Sequence, residues 1–133
     1  MLICNPEKYI KYLSKCYVGK VHDYAILKNE FNPSKNWFIR HNLRVDLGYL
    51  GIENDYKCKS VSIPKKSSKN YKLSDIDKNN NKIKAKDRII VEHSICGLKR
   101  YKIFEQRLRM HDFYLYDEVL ETVAGLWNFY LSN

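Results

Sequence analysis

A chain of 133 residues is long enough for one domain with its own core and short for two. Its 44% hydrophobic and 14% aromatic residues exclude a globally disordered protein, and no apolar run approaches the roughly 18 to 20 residues that a membrane span needs. The net charge of +9 is concentrated, since residues 57–109 hold 16 Lys and Arg against 5 Asp and Glu while the rest of the chain holds 8 against 10.

A localised positive field attracts polyanions, of which nucleic acid is the commonest. A solvated lysine-rich surface explains the same charge equally well, because net charge speaks to association and not to fold. The opening Met1, Leu2, Ile3, Cys4, Asn5, Pro6 reaches turn chemistry too soon for the apolar region of a signal peptide, so the expected location is cytoplasmic, with no membrane partner. Cys4, Cys16, Cys58 and Cys96 are scattered, with neither a C-x-x-C pair nor zinc-finger spacing, and are expected to be free thiols.

In chain order, Leu2 to Cys4 and Tyr9 to Cys16 predict two strands of a hairpin, with Asn5, Pro6, Glu7 and Lys8 as its turn. Gly19 ends the second strand, and Tyr24 to Phe31 suits a short helix with Asp23 near its N-terminus, stopped by Asn32, Pro33 and Ser34. Asn42 to Asp46 reads as a strand ending on a carboxylate, followed by the glycines and aromatics of residues 47–51, and Ser60 to Ile63 as another strand closed by Pro64. Lys65 to Lys72, basic and rich in Ser and Asn, predicts a loop.

Ser74 with Asp77 three residues on resembles a capping box in which Asp stands where Glu is usual. A long helix is expected from there to about Phe104, with Ile83, Ile90, Val91, Leu98 and Tyr101 as its apolar stripe. His111 to Leu131 supplies the last helix, with Phe113, Leu120, Val123, Leu126, Trp127 and Tyr130 facing inward. Neither an internal repeat nor a domain boundary stands out.

Arg88, Glu92 and Lys99 share a face of the long helix, because steps of four and seven residues return to the same side. An ion pair between Arg88 and Glu92 on a solvated face is the ordinary use of such spacing. Asp46, taken alone, suits a strand-end aspartate that hydrogen-bonds the next turn. His22 and Asp23 suit helix caps better than a catalytic dyad, and His41, His93 and His111 lack metal-ligand spacing.

The order of the pieces adds information that each alone lacks. G-x-V-H-D at residues 19–23, D-x-G-Y-x-G at 46–51 and R-x-x-V-E-H-x-x-G-x-L-K at 88–99 together resemble the DDE-superfamily transposases of bacterial insertion sequences, related to PIF/Harbinger elements. The resemblance implies an α/β, RNase H-like mixed sheet with flanking helices, in which three carboxylates converge on two Mg²⁺ or Mn²⁺ ions. It makes Asp46 the second aspartate and Glu92 the glutamate, both catalytic and metal-binding. Arg88, Lys99, Arg100 and Lys102 become DNA contacts, and His22, Asp23, Gly48, Tyr49 and Gly51 structural parts of the motifs. It also implies DNA as partner and self-association in the complete protein.

One element of the family pattern has no counterpart in the sequence. The first aspartate is expected on a strand upstream of the hairpin already half complete at Met1. Residues 1–133 therefore read as the C-terminal part of a catalytic domain, N-terminally truncated, with an incomplete sheet. The upstream-encoded N-terminal part is a candidate partner, and the isolated chain is expected to be inactive. A reading from another class is a non-catalytic module that binds DNA or a protein partner through residues 57–109.

Overall fold

The computed structural model describes residues 1–68, 72–103 and 112–133. Among them the chain is mixed α/β, with four α-helices, one 3-10 turn and two small sheets, each of two strands. It divides into two compact units, Lys20–Ile89 and the combination of Met1–Gly19 with Ile90–Asn133.

In the second of these units, β1 (Leu2–Cys4) and β2 (Ile10–Leu13) pair antiparallel, joining Leu2 to Leu13 and Ile3 to Tyr12. The turn between them is closed by Asn5, whose carbonyl accepts from the Lys8 amide and whose Oδ1 accepts from the Tyr9 amide, and Lys8 takes a left-handed φ of 71°. That geometry turns the Lys8 carbonyl toward the helices. It accepts the Ser94 hydroxyl at 2.9 Å and the Trp127 indole N–H at 3.0 Å.

The core of this unit is Ile10, Leu98, Val123, Ala124 and Trp127, with Leu2, Leu13, Val119 and Leu131 packed around it. Its helices are the C-terminal part of α3 (Asp75–Lys99) and α4 (Phe113–Ser132), which is capped by Asp112 Oδ1 accepting the Tyr114 amide at 2.9 Å. Asn128 docks α4 on the backbone of β2, accepting from the Ile10 amide at 2.8 Å and donating to the Ile10 carbonyl at 2.9 Å. Gly97 has a packing reason to be glycine: a Cβ there would lie 2.3 Å from the Trp127 ring.

In the unit of residues 20–89, α1 (Asp23–Glu30) buries Ile26 and Leu27. Phe31, Trp37, Phe38 and Tyr56 continue that core as a chain of ring contacts 5.3 to 5.5 Å between centroids. β3 (Asn42–Arg44) and β4 (Ser60–Ser62) pair in parallel, with Asn42 opposite Ser60. Between them lie a 3-10 turn at Leu47–Tyr49 and α2 (Ile52–Asp55), which begins after Gly51 at a φ of 94° that only glycine adopts freely.

The N-terminal part of α3 belongs to this same unit and is anchored by polar contacts. Ser74 and Asp77 complete the expected capping box, with the Ser74 hydroxyl oxygen accepting the Asp77 amide at 3.1 Å and Asp77 Oδ2 accepting from Ser74. Lys65 pairs with the buried Asp77 at 2.5 Å, Asn81 exchanges two hydrogen bonds with the Lys65 backbone, Lys84 donates to the Ile63 carbonyl, and Arg44 meets Asp87 at 3.3 Å.

Several expectations are corrected by these features. The strand before Asp46 ends at Arg44, because Val45 makes the last bond to β4 through Ser62 and the chain then turns. α3 ends at Lys99, earlier than Phe104, and Lys102 adopts a left-handed φ of 53°. Ile83 and Tyr101 are exposed, since the docked face of α3 is the polar series 77, 81, 84 and 87 and then Ser94, Gly97 and Leu98. Leu126 and Tyr130 likewise lie outward on α4, whose inner face is Val119, Val123, Ala124 and Trp127. Phe104, His111, the side chain of Phe113 and the middle of the predicted loop after Lys65 lie outside the described residues. The cysteines are free, and only partly buried or exposed.

Candidate active site

The sequence places a helix start, then a strand end, then a glycine-rich turn, and the unit of residues 20–89 folds these against one another. His22 is the N-cap of α1, its Nδ1 accepting the Tyr24 amide at 3.3 Å. Asp23 is therefore the first helical residue, where a carboxylate is favoured by the partial positive charge of the helix end.

Asp46 is the N-cap of the 3-10 turn. Its Oδ1 accepts the Gly48 amide at 2.8 Å and its carbonyl accepts the Tyr49 amide at 3.2 Å, so one carboxylate oxygen is fixed by the backbone of the motif itself. A Cβ on Gly48 would lie 3.0 Å from that oxygen, which makes glycine the residue that lets the carboxylate sit so close to the turn. Asp46 is half-buried.

Tyr49 joins the turn to α1. Its ring meets that of Tyr24 edge to face, with centroids 6.3 Å apart and planes at 74°. Burial, and after it the charges of Asp23 and Asp46, push the Tyr49 phenol up to about 12. The phenol stays neutral between two carboxylates that favour the protonated form.

Tyr24 is anchored in turn. Its hydroxyl donates to Asp55 Oδ2 at 2.5 Å, and Lys28, one helical turn on, pairs with the same oxygen at 2.6 Å while its ammonium lies 4.6 Å from the Tyr24 ring centre. The hydrogen bonds from Lys28 and then Tyr24 hold the Asp55 carboxyl below the usual carboxylate range. Burial, followed by the bond to Asp55, pushes the Tyr24 phenol well up. Tyr24, Lys28 and Asp55 lie outside the three sequence motifs. The signal available was the four-residue step from Tyr24 to Lys28 directly after His22 and Asp23, which puts an aromatic ring and a cation on one helix face.

Glu92 lies in the unit formed by Met1–Gly19 with Ile90–Asn133, on the exposed side of α3. Ser94, Gly97 and Leu98, all buried, hold the opposite side to the hairpin and α4, so the third motif divides between an outward carboxylate and an inward packing face. Arg88, Lys99, Arg100 and Lys102 are exposed. The Arg100 guanidinium lies over Trp127 and Tyr130, 5.8 and 5.2 Å from their ring centres, a cation held by aromatic faces and still open to solvent. Arg88 belongs to the unit of residues 20–89, in which Lys66, Lys82 and Lys86 are exposed as well.

Among the described residues, no group of three or more His, Cys, Asp or Glu gathers at metal-binding distance. Asp46 fits a hard divalent cation by donor type, offering carboxylate oxygen from a preorganised and part-exposed position. A separate cleft of about 610 Å³ is lined by Pro33, Glu53, Asp55, Lys57 and Cys58, without Asp46. No helix among the described residues is long and apolar enough to cross a membrane.

Set beside known proteins, the chain matches the sequence profile of the DDE superfamily endonuclease family over residues 1–128. It belongs to that family, whose substrate is DNA and whose members use divalent metals. No curated protein and no solved structure matches the chain.

Proposed function

We propose that the chain is part of a DDE transposase, with an RNase H-like catalytic domain in which Asp46 and Glu92 bind Mg²⁺ or Mn²⁺. The observation that carries this reading is the setting of Asp46: within a family match spanning residues 1–128, the one aspartate of the D-x-G-Y-x-G motif is held by the Gly48 amide with its carboxylate part-exposed. Glu92, outward on α3 within the third motif, is the second ligand of the proposal.

With two divalent cations bound, an attacking water or 3′-hydroxyl is activated and the leaving oxygen of an in-line phosphodiester displacement is stabilised. The chain's own residues bind and orient. Asp46 and Glu92 supply oxygen donors, and Arg88, Lys99, Arg100 and Lys102 hold phosphates, Arg100 from its seat on Trp127 and Tyr130. His22 and Asp23 start α1, and Gly48, Tyr49 and Gly51 shape the turn that presents Asp46.

The proposed lineage is the transposases of bacterial insertion sequences and their PIF/Harbinger relatives, acting in the cytoplasm on element DNA. The motifs assign two of the three carboxylates of such an enzyme, so the isolated chain is expected to leave DNA intact. Activity requires all three carboxylates of such a site, and self-association brings copies of the transposase to two DNA ends.

Metal binding tests the assignment of ligands. Titration with Mn²⁺ should show binding that weakens in both Asp46→Asn and Glu92→Gln, and equal affinity in all three proteins would refute it. The second reading, a non-catalytic basic module, is favoured by the exposed Lys66, Lys82, Lys86, Lys99 and Lys102. It predicts DNA affinity that survives both substitutions and needs no metal.

A further inference from the structure

The turn that carries Asp46 has short-range bonds of its own, and it also leans on α1, where the Tyr49 ring meets that of Tyr24. Within residues 20–89 the contacts form a continuous series. Lys28 and Tyr24 both bond Asp55 Oδ2, at 2.6 and 2.5 Å, which fixes the half-buried Tyr24 ring under the Lys28 ammonium. That ring meets Tyr49 at 6.3 Å and 74°, an edge-to-face geometry that aromatic pairs prefer. Tyr49 is the last residue of the 3-10 turn, and its amide is bonded to the carbonyl of Asp46, whose carboxylate is bonded to Gly48.

A three-residue turn of this kind is held by very few bonds. Its orientation is therefore sensitive to what packs against its side. We propose that Tyr24 is a positioning residue for Asp46: its ring, tethered by Asp55 and Lys28, clamps Tyr49 and so fixes the turn that aims the Asp46 carboxylate at a divalent cation. The proposal rests on the reading of Asp46 as a metal ligand. It assigns to Tyr24, which no motif singled out, the part that outer partners play in metal sites, where orienting a ligand changes affinity without touching the metal.

The mechanism makes the ring the operative part, and the hydroxyl a tether that Lys28 can back up by stacking on the face. Tyr24→Phe keeps the ring and Tyr24→Leu removes it at similar volume. Titrating the whole chain with Mn²⁺, followed by the electron-spin signal of the free ion, should give Tyr24→Phe near the wild-type affinity and Tyr24→Leu about tenfold weaker, with Asp46→Asn weaker still. Thermal melts of the two Tyr24 variants should stay close to that of the wild type.

In the wild-type chain itself, Mg²⁺ should shift the Gly48 amide and the Tyr24 ring resonances along a single binding curve. This measurement does not depend on the variants folding. Wild-type affinity in Tyr24→Leu beside weakened binding in Asp46→Asn, or a Gly48 shift with no Tyr24 shift, would overturn the positioning role and leave Asp46 a ligand. A loss shared equally by Tyr24→Phe would overturn the ring as its route. Unchanged binding in Asp46→Asn would remove the ligand reading and the proposal with it.

Discussion

Two glycines of the motifs are explained by what stands opposite them. Gly97 leaves no space for a side chain because the Trp127 ring lies against the α3 backbone, 2.3 Å from where a Cβ would be. Gly97→Ala should destabilise the protein by about 2 kcal/mol, since a buried ring has to shift out of a packed core, and chemical denaturation would measure it. Gly48 is a different case, its would-be Cβ meeting only Asp46 Oδ1 at 3.0 Å. Gly48→Ala should cost little stability and weaken Mn²⁺ binding by about tenfold, a separation that calorimetry and melting together would reveal.

At this scale the sequence was readable where a residue type has one local use. The Ser74 and Asp77 capping box, the Asn5 turn and the Asp46 bond to its own turn follow from side-chain oxygens that reach nearby amides. His22 was harder, because an imidazole caps a helix only when its unprotonated nitrogen faces the first turn, and Asp23 beside it is the more usual cap type. The part played by Tyr24 is not legible locally, because its partners Asp55 and Tyr49 are 31 and 25 residues away and nothing in a local pattern encodes them.

Among the elements, the two long helices were legible in existence and less so in orientation. The apolar stripe expected on α3 failed in its first half, where the docked side is Asp77, Asn81, Lys84 and Asp87 and where Ile76, Ile83 and Ile89 face solvent. Hydrophobic periodicity locates an inner face only when that face is apolar. On α4 the expected stripe was rotated toward Leu126 and Tyr130, because the hairpin is met by Asn128 and Trp127 together and the polar residue sets the helix's rotation.

Two predictions belong here. Ser94→Ala should lower stability by about 1 kcal/mol, since a fully buried hydroxyl bonded to the Lys8 carbonyl is lost while Trp127 still satisfies that oxygen. The aromatic core behind α1 makes a prediction in alkali. Burial, and then the charge of Asp55, push the Tyr56 phenol up to about 12, against about 10 for a free tyrosine. A raised folded-state value means that the stability is complete below about pH 10 and declines as pH climbs toward 12, because the unfolded chain loses its proton first. Ultraviolet titration should show Tyr56, together with Tyr24 and Tyr49, ionising late and in step with loss of the fold. Ionisation of all eleven tyrosines at the free value, with the fold intact, would contradict the buried phenols.

For the whole molecule, the charge asymmetry of residues 57–109 was plain from the sequence, and the exposure of Lys66, Lys82, Lys86, Lys99 and Lys102 shows that much of it faces solvent. Part of that charge is also structural: Lys65 serves Asp77 and Lys84 serves the Ile63 carbonyl. DNA affinity is therefore expected to fall steeply with salt, and Lys102→Ala to reduce the slope of log K against log salt by about 0.9 if it neutralises one phosphate. An unchanged slope would remove Lys102 from the interface.

The mixed α/β class and the DDE family were within reach of the sequence because three motifs occur in order. The support of Asp46 by Tyr24 and the docking of the hairpin on α4 were not, since both are long-range contacts between residues of unremarkable type. The most direct measurement is Mn²⁺ binding by the whole chain and by its Asp46→Ala and Glu92→Ala variants. Binding that weakens in both variants is the predicted result, and affinity unchanged in either variant would contradict the assignment of Asp46 and Glu92 as metal ligands.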